Sequence, residues 1–168
     1  MANLVQYLAT DPYIYDKESK KVDIARWVGA FEFPFESPQG VGFEVGRREQ
    51  SLFVNVNNTG QNRTGMVVRF KALATVTQPA LISVDTQKEL KLNFTMTKGD
   101  VIEVSTYEGE KTITLIRNNV RYDIFNSLDL DSHYLELEQG DNIFRYDALS
   151  GVDNLEMSLT YRPKFVGV

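Results

Sequence analysis

The sequence contains no cysteine, which excludes disulfide bonds, thiolate zinc sites and cysteine nucleophiles. It also lacks any apolar run near the roughly 20 residues that a membrane-spanning helix needs. Residues 1–7 have neither a basic region nor a long apolar run, so they do not form a signal peptide pattern. The formal net charge of −5 argues against binding to nucleic acid or to an anionic membrane surface. We therefore expect a soluble protein with neither as a partner.

Helical periodicity is also missing, whereas period-2 alternation of apolar and polar residues is frequent. The chain has 168 residues, of which 42% are hydrophobic and 24% charged, values typical of one soluble globular domain. Apolar faces of this kind are formed by Met66, Val68, Phe70 and Ala72, by Leu90, Leu92, Phe94 and Met96, by Leu135 and Leu137, by Phe144, Tyr146 and Ala148, and by Leu155, Met157, Leu159 and Tyr161. Strands at intervals of roughly 8–12 residues with turns between them predict an all-β, antiparallel, two-layer β-sandwich.

The turn signals divide the chain into an irregular beginning and a regular remainder. Pro12 interrupts a first strand, and glycines and prolines make the segment up to residue 47 irregular. We predict that residues 1–47 form an N-terminal arm with short strands, packed on a sandwich of residues 48–168. Later turns are predicted at residues 97–100, 108–110, 118–119 and 139–141, and residues 123–128 have room for one short helical turn.

His133 is the only histidine, and it is flanked by Asp131 and Ser132. A serine-histidine-aspartate triad needs its groups to converge, whereas neighbours on a strand point to opposite faces. We interpret His133 as a surface or packing residue. With no recognisable pair of catalytic acids either, the sequence predicts no catalytic residues and no enzymatic activity.

An acidic cluster comprises Asp129, Asp131, Glu136, Glu138 and Asp141. The calcium loop of an EF-hand that began at Asp129 would need glycine and glutamate at positions held by Tyr134 and Gly140. These carboxylates are therefore interpreted as a solvated strand face, and no metal or cofactor is predicted.

Two further motifs carry no function. The glycines at positions 40, 42 and 46 do not have dinucleotide-binding spacing or a strand-turn-helix context. The Asn-x-Ser/Thr triplets that begin at positions 57, 62 and 93 have meaning only in a eukaryotic secretory protein.

The aromatic group in the arm is the one candidate contact surface. Trp27, Phe31, Phe33 and Phe35 lie in the irregular segment, where they fit a protein-protein contact as well as local packing. These four residues are the predicted partner-contact residues.

Taken in order, several segments resemble the C-terminal part of phage distal tail proteins, the siphovirus-type tail component family. The resemblance is carried by residues 4–15 (LVQYLATDPYIY), 54–60 (VNVNNTG), 90–102 (LKLNFTMTKGDVI) and 134–143 (YLELEQGDNI), followed by Tyr161 and residues 165–168 (FVGV). It extends over essentially the whole chain.

The resemblance implies a galectin-like β-sandwich that is attached, in the intact protein, to an N-terminal ring domain. In the family that ring domain builds a hexameric hub. We expect it to be missing from this chain, in which case a hexamer is not expected and the fragment alone could be monomeric. The galectin sugar-binding signature, His-x-Asn-x-Arg with a later Trp, is also absent.

Two functions from different classes follow. The first is a structural virion component at the phage tail tip or baseplate, assembled in the bacterial cytoplasm and contacting other tail proteins. The alternative is a carbohydrate-binding module that attaches to the host cell surface, which would need exposed aromatics beside polar groups on a concave face.

Overall fold

The computed structural model describes residues 13–23, 26–27, 48–49 and 53–166. Two 3₁₀ turns, Phe125–Ser127 and Val152–Asn154, are the helical elements of these ranges. The strands are β1 (Tyr13–Tyr15), β2 (Lys20–Asp23), β3 (Arg26–Trp27), β4 (Arg48–Glu49), β5 (Phe53–Asn58), β6 (Met66–Ala72), β7 (Val76–Ser83), β8 (Glu89–Lys91), β9 (Thr95–Met96), β10 (Val101–Ser105), β11 (Thr112–Arg117), β12 (Val120–Asp123), β13 (Gly140–Ser150), β14 (Leu155–Tyr161) and β15 (Lys164–Val166).

Two antiparallel sheets form the layers, so the all-β sandwich prediction is confirmed. A six-stranded sheet has the order β12-β11-β10-β6-β14-β2. A five-stranded sheet has the order β5-β13-β7-β8, with β9 also paired to β7. Strands β1 and β15 form a two-stranded ribbon, as do β3 and β4. No helix in the described ranges has the length and apolar character needed to cross a membrane.

The core lies between the two sheets because alternate residues of each strand point inward. The six-stranded sheet buries Met66, Val68 and Phe70 of β6 and Leu155, Met157 and Leu159 of β14, among others. On the facing side of the core, the five-stranded sheet buries Leu81, Leu90, Phe144 and Tyr146. The period-2 faces in the sequence are therefore the inner faces of the sandwich.

Two predicted strands are interrupted. Residues 90–96 form two separate strands, because β7 pairs Ala80 with Lys91 but Thr77 with Thr95. Two residues of β7 thus face three on the other side, a bulge at which Gln78 has a φ of 51° and the adjacent Pro79 has no N–H to donate.

Residues 134–138 are the second interruption, and here the predicted strand is wrong. The segment is extended but forms only one isolated bridge, between Leu137 and Thr64. Leu135 and Leu137 are nevertheless buried in the core. The alternation therefore predicted correctly which side chains are buried. Whether the segment pairs continuously depends on which backbone lies next to it.

The free side of β8 is covered by residues 127–133. Asp129 donates its backbone N–H to the Lys91 carbonyl oxygen, and His133 donates to that of Glu89. The Ser132 hydroxyl accepts a hydrogen bond from the Lys91 N–H and donates one to the Lys91 carbonyl oxygen. This segment satisfies backbone groups that an open edge would expose to strand addition.

The predicted turns occur where glycine or asparagine permits positive φ. Gly99, Gly109, Asn118 and Asn119 have φ values of 89°, 78°, 52° and 60°. The predicted helical turn is confirmed as the 3₁₀ turn Phe125–Ser127. In the predicted arm, β1 pairs with β15 and β2 with β14. The boundary between residues 47 and 48 stays a prediction.

Candidate functional site

The predicted contact residues fall largely outside the described part of the chain. Trp27 lies in β3, where its backbone pairs with Arg48. Its side chain, and the whole of Phe31, Phe33 and Phe35, lie outside the described residues. Their role as a partner-contact group stays a prediction.

His133 is exposed within the segment that covers β8. Nearby, the Asp129 carboxylate accepts hydrogen bonds from the Asp131 N–H and from the Asn93 side-chain amide. These two bonds, with the Asp131 N–H the larger effect, lower the pKa of Asp129. Among the residues that the structure describes, no three His, Asp or Glu side chains form a group that could hold a metal ion. The bonds of Asp129 therefore serve the local turn.

A polar hollow, here called the end cleft, lies on the outer face of the six-stranded sheet and has a volume of about 520 Å³. Its floor is formed by outward-facing residues of β6, β10 and β14, and its walls by the β1–β15 ribbon and the β10–β11 turn. The lining includes Tyr15, Ser19, Arg63, Gly65, Val67, Ser105, Tyr107, Glu108, Glu110, Glu136, Thr160, Arg162 and Lys164. The cationic and anionic side chains of this lining are equal in number.

The charges at the walls are partly engaged with one another. Arg63 forms an ion pair with Glu136, with 3.5 Å between Nε and Oε2. The Lys164 ammonium lies 4.0 Å from the centre of the Tyr13 ring and 5.5 Å from that of Tyr15. These cation-π contacts join the two strands of the ribbon and fix one wall of the end cleft.

Close backbone packing positions the opposite wall. A Cβ on Gly65 would lie 2.6 Å from the Cα of Tyr107, so only glycine allows the β10–β11 turn to approach β6 this closely. The Tyr107 hydroxyl accepts a hydrogen bond of 3.1 Å from the backbone N–H of Arg162. Burial raises the pKa of Tyr107, which keeps this hydroxyl neutral at physiological pH.

A second surface lies at the other side of the same sheet, where β12 is the terminal strand. All four residues of β12 are exposed. The apolar side chains Val120, Tyr122 and Phe125 are 49%, 48% and 46% exposed. In the part of the chain that the structure describes, β11 is the only strand paired with β12. We call Val120–Asp123 and Phe125 the β12 edge.

An ion pair anchors the hairpin that carries the β12 edge. Arg117, at the end of β11, donates from Nε and Nη2 to the two carboxylate oxygens of Asp100, at 2.7 and 2.6 Å. The Asp100 carboxylate also accepts bonds from the N–H and hydroxyl of Thr97. Its side chain is only 2% exposed. The hydrogen bond from Arg117 is the largest cause of the lowered pKa of Asp100.

Neither surface was identified from the sequence. The end cleft is assembled from residues far apart in the chain, so no local motif marks it. The β12 edge has a weak local signal. Asn118-Asn119 predicts a hairpin, and the following Val-Arg-Tyr-Asp alternates apolar and charged residues, although its apolar residues are exposed and not in the core.

Comparisons with known proteins point to phage tails. The family described as the siphovirus-type tail component, C-terminal domain, matches residues 59–165. The crystal structure of SPP1 Dit, described as a paradigm of the hub adsorption apparatus in phages that infect Gram-positive bacteria, has a TM-score of 0.64 and 14% sequence identity. That similarity covers 93% of this chain and 50% of the SPP1 Dit chain.

A chain of the phage P2 baseplate in its activated conformation with calcium is similar at a TM-score of 0.48 and 10% identity. That similarity covers 89% of this chain and 54% of the other. No curated protein matches the sequence. The chain spans about half the length of each of the two solved chains.

Proposed function

Because this chain belongs to the siphovirus-type tail component family, we propose that it is the peripheral C-terminal domain of a distal tail hub protein. In this role it is part of the virion, at the tail tip or baseplate. The resemblance implies that a separate N-terminal ring domain builds the hexameric hub. This chain would then hold neighbouring tail proteins through its surface, after assembly in the bacterial cytoplasm.

The observation that carries the proposal is the match of the family's C-terminal domain to residues 59–165, which include every strand of both sheets except β2 and β5. A structural role of this kind needs a stable domain with defined surfaces, and the core between the two sheets provides that stability. This role requires no catalytic step.

Two measurements test the hub assignment. Gold-labelled antibody against this chain should mark the distal end of the tail in electron micrographs of intact virions. Co-expression with the neighbouring tail proteins should yield a complex that co-purifies with this chain. Label on the capsid, or along the whole tail tube, would contradict the assignment.

Binding of host-surface carbohydrate is a second candidate function, and the end cleft favours it. This hollow places Tyr15 and Tyr107 beside Arg63, Glu136 and other polar groups, the combination that sugar recognition needs. Because its cationic and anionic groups balance, a neutral saccharide fits it better than a polyanionic wall polymer.

Titration with neutral and polyanionic wall polysaccharides of the host separates the two functions. Carbohydrate binding predicts saturable binding of a neutral saccharide that is weakened at least tenfold by Arg162→Ala, a change at the rim of the end cleft. Leu149→Ala, an exposed position on the other sheet, serves as the matched control. Absence of saturable binding to any polysaccharide would leave the structural role alone.

A further inference from the structure

The β12 edge has backbone groups that point away from its own sheet, and their positions can be assigned. In the β11–β12 hairpin, Arg117 pairs with Val120 and Leu115 with Tyr122. The two-residue turn has positive φ at both central residues, which makes its closing pair a hydrogen-bonded one. The bond from the Ile124 N–H to the Ile113 carbonyl oxygen continues this alternation.

It follows that Val120 and Tyr122 direct their N–H and C=O groups toward β11, as Ile124 does with its N–H, whereas the Ile124 carbonyl oxygen accepts a hydrogen bond from the Ser127 N–H. Arg121 and Asp123, which alternate with them, direct theirs outward. The side chains of these two residues lie on the outer face of the sheet. Arg121 Nη2 donates to Glu103 Oε2 at 2.6 Å, and the Asp123 carboxylate accepts a hydrogen bond of 2.9 Å from the Phe125 N–H. Among the residues that the structure describes, the outward row of β12 thus has no strand partner and consists of the backbone groups of one cationic and one anionic residue.

We propose that the β12 edge pairs antiparallel with the β12 edge of a second copy of this chain, about a two-fold axis at Tyr122. In this register Arg121 and the partner's Asp123 exchange backbone hydrogen bonds, as do Asp123 and the partner's Arg121. All outward backbone groups of the two residues are then satisfied.

The side chains match in the same register. On the outer face each Arg121 lies directly opposite the partner's Asp123, which is a favourable cross-strand pair. On the inner face Tyr122 meets the partner's Tyr122, and Val120 meets the partner's Ile124. Every facing pair is therefore either oppositely charged or apolar.

The alternative registers are unfavourable. Hydrogen bonding requires outward-pointing residues to face each other, so the two-fold axis can also lie at Arg121 or at Asp123. The first places two arginines in direct opposition and the second two aspartates, and like charges directly opposite are destabilising. Charge complementarity thus selects one register and a second copy as occupant. Because a two-fold contact is isologous, it closes at a dimer and does not extend into a filament.

The contact is short, so we expect a weak dimer, with a dissociation constant on the order of 100 µM. Sedimentation velocity over a wide concentration range should show a monomer-dimer equilibrium that weakens in high salt. Arg121→Asp and Asp123→Arg should each raise the dissociation constant at least tenfold. The double variant Arg121→Asp/Asp123→Arg should restore dimerisation, since it inverts both pairs, even though it loses the internal contacts of both single variants, the Arg121–Glu103 ion pair and the hydrogen bond from the Phe125 N–H to Asp123.

Cross-linking tests the register directly, without background from other cysteines, because the chain has none. Residues on the axis form a non-hydrogen-bonded pair, whose short Cα separation suits a disulfide. Tyr122→Cys should therefore oxidise to a covalent dimer much faster than Leu149→Cys, whose side chain is 72% exposed on β13. Equal rates for the two variants would overturn the proposal, as would a protein that stays monomeric at millimolar concentration or a dimer that survives Arg121→Asp.

Discussion

Replacement of Asp100 by asparagine should destabilise the sandwich through a single buried carboxylate. The asparagine oxygen can still accept a hydrogen bond from Thr97, but its NH₂ group would face the Arg117 guanidinium, donor against donor. The substitution keeps the size and shape of the side chain, so the change measured is mainly that of charge and hydrogen bonding.

The magnitude follows from the surroundings of each partner. Hydrogen bonds to charged groups contribute about 1.5–3 kcal/mol each, and removal of one partner from a fully buried ion pair costs about 3–5 kcal/mol. Arg117 is 39% exposed, so water can solvate it once the carboxylate is lost. We therefore expect Asp100→Asn to lower the free energy of unfolding by about 2–3 kcal/mol, or Tm by about 5–10 °C.

The loss should also depend on pH. Because the folded-state pKa of Asp100 is lowered, the folded protein binds fewer protons at this group than the unfolded chain does, in the interval between the two pKa values. The stability from Asp100 is then fully present above the unfolded pKa of about 3.9 and is lost as pH falls through the folded value. The difference between wild type and Asp100→Asn should be constant near neutral pH and shrink below about pH 4.

Urea unfolding followed by far-UV circular dichroism at several pH values measures this difference. Asp131→Asn is the matched control, since Asp131 is exposed and its removal should cost less than about 0.5 kcal/mol. Equal stability of the two variants at pH 7, or a cost of Asp100→Asn that does not decrease in acid, would contradict a stabilising role of the ionised Asp100.

The remaining predictions concern backbone conformation and the connection between the sheets. Gly151→Ala should cost at least about 3 kcal/mol, because φ is 77° and the new Cβ would overlap the Thr75 carbonyl oxygen. Gly99→Ala, with a φ of 89° and open space around it, isolates the backbone term and should cost about 1–2 kcal/mol; equal costs in thermal unfolding would contradict the overlap. Tyr161→Phe should cost about 1 kcal/mol in urea unfolding, since its hydroxyl donates to the Asn57 carbonyl oxygen at 2.7 Å, and an unchanged midpoint would show that this bond contributes nothing.

The sequence predicted the sandwich well because its signals are local. Alternation along β6 and β14 gives the buried faces directly, and the turn at Asn118-Asn119 needs only the conformational preference of asparagine. Such signals depend on a residue and its immediate neighbours, so they can be recognised without knowing which strands pair.

Which strands pair with each other could not be predicted from the sequence. The alternation of residues 134–138 is as regular as that of a strand, yet the segment forms one bridge, to Thr64. The end cleft escaped prediction for the same reason: Tyr15, Arg63, Tyr107 and Arg162 meet through the fold and share no spacing in the chain. Sequence patterns report which side of a segment is buried, whereas sites built by several segments require the register between them.

The path of the chain after β12 explains why, within the described residues, the β8 edge is covered and the β12 edge is not. From β12 the backbone turns through Phe125–Ser127 and then runs along β8, where residues 127–133 satisfy the Lys91 and Glu89 backbone groups. The segment that closes the edge of the five-stranded sheet is thus the one that leaves β12, and it cannot also lie along β12. The β12 edge is protected in a different way, by the charged residues Arg121 and Asp123. Their opposite charges make strand addition favourable in one register and repulsive in the others. An edge restricted in this manner excludes indiscriminate partners and still permits a specific one, which is the property that a contact domain in an ordered assembly requires.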